Sequence, residues 1–460
     1  MNKLIGDKNF YRRVLAISVP IMIQNGITNF VNLLDNIMVG QIGTAQMSGV
    51  SIVNQILFVF ILCVFGGCAG AGIFTAQYYG NGDNEGVKNT TRYKLYIAFI
   101  ILAVGITVLL TFADPLISAF LSKDSDPVSV AMALESGKTY LYIMLIGLLP
   151  SALVQVYAST LRETGETVIP MKAGAIAVIV NLLFNYLLIF DHFGYKGLGC
   201  AGAAIATVLS RFVEFAIIFI WSHTHTEKNP FFKGLYKSLR LPRELIKKLT
   251  VKGTPLLVNE ALWSLGMSML LQCYSVRGLS VVAAMNITNV IANIFNIIFI
   301  ALGDAIAIIV GQLLGAGKMK EAHETDTKLL FFSTTLCIVF GVILFLLAPL
   351  FPGMYNTEPE VKELATTFIR IIGLCLPLHA FIHGTYFTLR SGGKTMVTFI
   401  FDSAYMWGVT VLAAYCLTRF TLLPIIPVFF IIQVSDILKA SIGFILLKKK
   451  IWLNNIVNDI

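Results

Sequence analysis

The chain has 460 residues, of which 57% are hydrophobic and 13% charged, with a formal net charge of +9. A mean hydropathy of +0.79 leaves too little polar surface to cover water-soluble domains. This excludes a disordered chain, a disulfide scaffold and a nucleic-acid-binding domain, and defines an all-α polytopic membrane protein.

The opening stretch MNKLIGDKNFYRR is charged and amphipathic, and the apolar run behind it carries no small-residue cleavage site, so no removable signal is expected. Apolar runs of spanning length fall near 14–37, 49–75, 93–113, 139–160, 171–190 and 200–222. A second set follows near 254–275, 283–311, 328–350, 366–389, 396–418 and 424–447. The polar stretch 223–252 holds eight Lys and Arg. It reads as a cytoplasmic basic linker between an N-terminal six-helix lobe (1–222) and a C-terminal one (253–460). Counted on alternate sides of the spans, Lys and Arg divide 25 against 6, with Arg211, Arg370 and Lys439 inside or at the edges of spans. That bias predicts twelve spans with both termini cytoplasmic, in the cell (plasma) membrane. It also assigns the basic excess to anionic lipid headgroups rather than to nucleic acid. The seven cysteines are scattered through apolar runs with no metal or disulfide spacing.

The halves repeat. A shift of 235 residues lays Pro20 on Pro255, Gly43 on Gly278, Asn54 on Asn289 and Gln77 on Gln312. Gly80 and Gly82 then fall on Gly315 and Gly317, and TLRETGET (160–167) echoes TLRSGGKT (388–395). With an even number of spans in each half, both copies insert the same way round. That gives two lobes related by an axis along the membrane normal, a geometry suited to alternating access.

Polar side chains at membrane depth are costly and mark candidate sites. In the first span Gln24, Thr28, Asn32 and Asp35 recur at helical spacing and share one face, with Asn25 at its edge. Such a face lines a cavity or makes interhelical hydrogen bonds, and its one carboxylate can exchange a proton or bind a cation. Asn181 and Asn185, one turn apart in the fifth span, either complete that site or serve packing. In the eighth span Asn286, Asn289, Asn293 and Asn296 form a stripe with Asp304, facing a wet cavity or a neighbouring helix. Glu260 follows Pro255 by five residues, where the missing backbone donor permits local unwinding beside a carboxylate. Asp35 or Glu260 could take Na⁺. His379 and His383 share a face with Tyr386 in the tenth span, for proton handling or for packing. Asp402 is a further cavity candidate, while Lys439, three residues after Asp436, permits an ordinary ion pair. Abundant Phe, Met and Tyr suit a tolerant site for amphipathic organic cations. No GxSxG, HExxH or Walker-A pattern is present. The chain is therefore not read as an enzyme, no cofactor is expected, and active transport must run on an H⁺ or Na⁺ gradient.

SVPIMIQNGITNFVNLLDNIMVGQIG (18–43), GIFTAQYYGNGD (72–83), YASTLRETGET (157–167), GLGCAGAAIAT (197–207), GQLLGAGK (311–318) and TLRSGGKT (388–395) resemble the multidrug and toxic compound extrusion (MATE) family. The resemblance runs over essentially the whole chain. It implies a V-shaped pair of six-helix bundles exporting cationic drugs in exchange for H⁺ or Na⁺. Asp35 matches the family's first-span carboxylate and Asn181 its fifth-span Asn; Asn185 stands where some proton-coupled members carry Asp. The seventh-span Glu of sodium-coupled members would fall at Trp263, one turn past Glu260, and their tenth-span Asp at His379. The resemblance thus favours coupling at Asp35, with H⁺ ahead of Na⁺, and a monomer in the bilayer is expected. The alternatives are a flippase for a lipid-linked anionic headgroup, which needs several cavity-lining cations, and a membrane-embedded enzyme or channel.

Overall fold

The computed structural model describes residues 4–120, 127–190, 197–238, 240–355 and 357–458. Among the described residues, twelve helices are long and apolar enough to cross a membrane. The first six are α1 (Lys8–Gly40), α2 (Thr44–Gly80), α3 (Asn84–Thr111), α4 (Pro127–Glu163), α5 (Val168–Ile189) and α6 (Cys200–Thr224). The second six are α7 (Arg243–Ser275), α8 (Leu279–Gly315), α9 (Met319–Leu347), α10 (Pro359–Ser391), α11 (Thr395–Phe420) and α12 (Ile425–Lys448). Each carries the apolar run expected at its place. Many run on past it, because a helix satisfies its own backbone wherever the hydrocarbon ends. One departs from regular geometry: α11 is π-helical over Ile400–Ala404 and Met406–Val411.

The chain forms two compact units. Unit 1 comprises Met1–Met22, Ala76–Asp83 and Lys247–Ile460, and unit 2 comprises Ile23–Thr75 and Asn84–Ile246. These bounds differ from the lobes expected at 1–222 and 253–460, because the start of α1 and the last turn of α2 pack with the second half. Hydropathy marks which face of a helix is apolar but not which neighbour covers it.

In unit 1, Val14, Ile17 and Ile21 of α1 share one buried cluster with Leu302, Ile306, Ile309 and Leu313 of α8, Leu389 of α10 and Trp452. The ends of α2 and α8 touch backbone to backbone. A Cβ on Gly80 would lie 1.9 Å from the Gln312 carbonyl oxygen, and one on Gly315 would lie 1.9 Å from that of Gln77. Ala76 and Gly80 face Gly311 and Gly315, the small-xxx-small spacing that lets membrane helices approach closely. Gly82 and Gly317 then end both helices at φ +76° and +73°, where a side chain would strain the turn. The repeat is thus a packing device as well as a sequence echo.

Gly315→Val is accordingly expected to cost about 3 kcal/mol, the upper end for overpacking, since the obstacle is backbone rather than a movable side chain. Gly353→Ala, with nothing within 4 Å, should be near neutral. Thermal unfolding of the detergent-solubilised protein checks both.

The C-terminal segment seats on this crossing. Trp452 is fully buried, and Asn455 Nδ2 donates to the Leu314 and Gly315 carbonyls, both at 2.9 Å. Buried Gln77 donates to the carbonyls of Ser391 (2.9 Å) and Asn454 (3.2 Å) and accepts from the Ile456 amide at 2.8 Å. Every polar group of that amide side chain is engaged.

In unit 2, α4 and α5 both pack on α6. The stretch expected as a linker is partly built into this unit. Phe231, Phe232 and Leu235 are buried, Tyr157 stacks on Phe232 with ring centroids 5.3 Å apart, and Arg92 Nε donates to the Leu235 carbonyl at 2.9 Å. The Tyr157 hydroxyl lies 2.9 Å from His223 Nε2 and 2.5 Å from the Tyr236 hydroxyl. Burial pushes the Tyr236 pKa up, and its hydrogen bond to Tyr157 acts in the opposite sense. Two apolar rings inside a basic stretch are what tie it down.

Candidate functional site

Each unit holds its own polar cluster at membrane depth. In unit 2, half-buried Asp35 lies on α1, and buried Asn181 and Asn185 lie on α5. Asn185 Nδ2 donates to Asp35 Oδ1 at 2.5 Å and to Asn181 Oδ1 at 3.2 Å. Asn181 Nδ2 passes the chain on to Thr207 Oγ1 of α6 at 3.3 Å, and Thr207 donates to the Ala203 carbonyl. Tyr140 of α4 donates to Asn54 Oδ1 of α2 at 3.1 Å and also engages Thr207. Helical spacing explains the pairing: residues 181 and 185 stand one above the other on the α5 face that meets α1 and α6. Asn185 Oδ1 is buried and, among the described residues, has no hydrogen-bond partner.

The polar face expected on α1 divides. Thr28 is exposed and returns its hydroxyl to the Gln24 carbonyl at 2.9 Å, so it does not join the cluster. Gln24 lies against Gly174 beside Glu214, and its Oε1 is also buried without a partner among the described residues. The side chain of Asn32 lies outside the described residues. Buried Glu214 of α6 pairs with Arg211 at 2.8 Å, and the Arg211 charge acts on Asp35. Residue types alone do not single out Glu214, though its place three residues after the intramembrane Arg211 is a usable signal. Thr207 and Tyr140 carry no comparable mark.

In unit 1, Glu260 of α7 accepts from the Tyr386 hydroxyl of α10 at 3.3 Å. The adjacent Asn259 is buried and donates from Nδ2 to Asp402 Oδ2 of α11 at 3.0 Å. Ser403 donates to Asn259 Oδ1 at 2.7 Å. Lys439 does not take up the i,i+3 pairing with Asp436; it reaches from α12 to Asp402 Oδ1 at 2.8 Å. Asp436 instead faces His379 Nε2 at 3.6 Å. His383 stacks on Tyr386 (centroids 6.2 Å) with its edge towards Phe299 and Phe387. Asn289 is half-buried and Asn293 exposed on α8, and among the described residues neither joins this network. Trp263 is exposed.

Twelve spanning helices in a repeated array, with carboxylates and amides held inside them, define a multi-pass membrane transporter. The MatE family model matches residues 20–187 and 255–416, each block opening on one of the two repeat prolines, and the chain belongs to this family of transporters. A probable multidrug resistance protein NorM of Thermotoga maritima is 24% identical over 413 residues, 89% of this chain and 86% of its own length. An outward-facing multidrug resistance MATE family transporter of the MOP superfamily superposes with a TM-score of 0.86 at 20% identity, over 98% of this chain and 97% of that one. A MOP superfamily transporter from Pyrococcus furiosus Vc1, for which reverse polarity of the binding pocket suggests a different function, gives 0.84 at 20% identity over the same shares. At these identities the superpositions speak for the fold, and the cargo must be argued from this chain's own residues.

Proposed function

We propose that this protein is a secondary active multidrug efflux antiporter, exporting amphipathic, mostly cationic organic compounds by alternating access in exchange for H⁺, or secondarily Na⁺. Asp35 is the exchanging group. It acts with Asn181 and Asn185 as a monomer in the plasma membrane, both termini cytoplasmic. The observation that carries the reading is the Asn185 amide, which gives its NH₂ to Asp35 while its buried Oδ1 has no partner among the described residues. An amide offers both a donor and an acceptor. It can therefore donate to the carboxylate when Asp35 has lost its proton and, turned over, accept from the carboxylic acid when Asp35 holds one. Neither state leaves the acid unsatisfied, so the site can alternate between a proton and a cationic cargo without a buried orphan charge.

The multidrug reading is supported by the similarity to the probable multidrug resistance protein NorM of Thermotoga maritima. A flippase for anionic headgroups needs unspent cations within the spans. Arg211 and Lys439 are ion-paired, Lys94 pairs with Glu163, and Arg370 lies over the Phe345 ring at 5.5 Å.

Ethidium efflux from proteoliposomes under separately imposed pH and sodium gradients tests this. A pH gradient alone is expected to drive efflux and a sodium gradient alone is not. Sodium-only drive would overturn the proton assignment, and drive by neither would overturn the antiporter.

A further inference from the structure

In unit 1 a carboxylate and two aromatic rings surround a buried ammonium that belongs to the chain itself. Lys439 is 9% exposed. Its Nζ lies 2.8 Å from Asp402 Oδ1, 5.4 Å from the Phe401 ring centroid and 5.6 Å from that of Tyr405. A carboxylate with aromatic faces is the chemistry that recognises a free ammonium. The three surrounding residues sit in or beside the π-helical stretches of α11, a backbone form that recurs at functional sites.

Two of the three surrounding groups, Asp402 and Tyr405, have anchors other than the lysine. Asp402 Oδ2 is fixed by Asn259, whose own Oδ1 is fixed by Ser403. The Tyr405 ring is pinned by its hydroxyl, which donates to the Ser435 carbonyl at 2.6 Å. The carboxyl groups of Glu260 and Asp436 also act on Asp402, with Asp304 and Arg390 acting on Glu260 and His379 facing Asp436. A structural ion pair needs only two partners in contact; here one partner is independently positioned and walled by rings.

We propose that Lys439 is a tethered cation occupying a preformed site in unit 1 for a small monovalent ammonium, built from Asp402, Phe401 and Tyr405. With the lysine in place, that site has no cation to exchange. Resting on the transport reading above, this leaves the exchange to Asp35 in unit 2.

The test is chemical rescue in full-length, detergent-solubilised protein. Lys439→Ala is expected to lower Tm, and millimolar n-butylammonium should restore it by several degrees, while n-butanol at equal concentration should not. Wild type, its site filled, and Lys439→Ala/Asp402→Asn, its carboxylate gone, should show no ammonium-specific shift. If Lys439→Ala does not yield folded protein, Lys439→Gln is put through the same measurement. A variant that gains nothing from butylammonium, or gains as much in the Asp402→Asn background, overturns the proposal. The transport reading fails separately, through efflux retained by Asp35→Asn.

Discussion

Replacing Asp35 by Asn is expected to bring drug efflux down to the level of protein-free vesicles while leaving the protein folded. The substitution keeps the size and the hydrogen-bonding reach of the side chain. Asn185 can still donate to the new amide oxygen, so packing between α1 and α5 survives. What is lost is the one carboxylate of this cluster among the described residues. Asn185→Leu should do less. It removes one hydrogen bond to a charged group, worth about 1.5–3 kcal/mol, so efflux should fall by about tenfold or more. Everted vesicles read both variants against wild type, with thermal unfolding as the folding control. A leucine variant as inactive as Asp35→Asn would mean that the amide does more than support the carboxylate.

The largest stability effect is expected at Lys94. This fully buried ammonium on α3 donates to Ser159 and Thr160 of α4, each at 3.2 Å, and to the Glu163 carboxylate. All three of its N–H groups are engaged, the condition under which a buried ion pair holds together. Glu163 is itself mostly buried and sits hard against Gly72. Lys94→Met would leave that carboxylate in a dry site without its cation, at a cost of about 3–5 kcal/mol. The double variant Lys94→Met/Glu163→Gln removes both charges and should recover most of the loss. A double-mutant cycle on Tm measures the coupling directly. Additive losses would show that the two charges are stabilised independently.

The same residues show what the sequence makes legible. Asp35, Asn181 and Asn185 stand out because an acid or amide inside an apolar run is costly, and the structure joins all three. The twelve helices are legible for the same reason, since bilayer thickness sets a length that composition can satisfy or not. Pairing between distant helices is another matter. Lys94 lies at the edge of the third run, where charge reads as topology, and only the approach of α3 to α4 turns it into an ion-pair partner. Spacing places Lys439 with Asp436, but the crossing of α11 and α12 hands it to Asp402. The polar stripe of α1 has mixed neighbours, so Gln24 and Asp35 meet different surroundings, and Thr28 bonds back to its own helix. The repeat fixes equivalent backbone positions without fixing chemistry. Thr91 and Asp326 correspond at the 235-residue shift, yet one lies 3.5 Å from the Thr160 hydroxyl and the other takes a 2.5 Å hydrogen bond from Thr388. The buried C-terminal segment gives no signal in hydropathy, because a single Trp on a short polar stretch looks like any interfacial anchor.

Proton release on cargo binding tests the central claim most directly. Ethidium added to purified wild-type protein in lightly buffered detergent solution should acidify the medium in proportion to the protein present, and Asp35→Asn should bind without acidifying it. Equal acidification by both proteins would place the exchanging proton elsewhere and contradict the account.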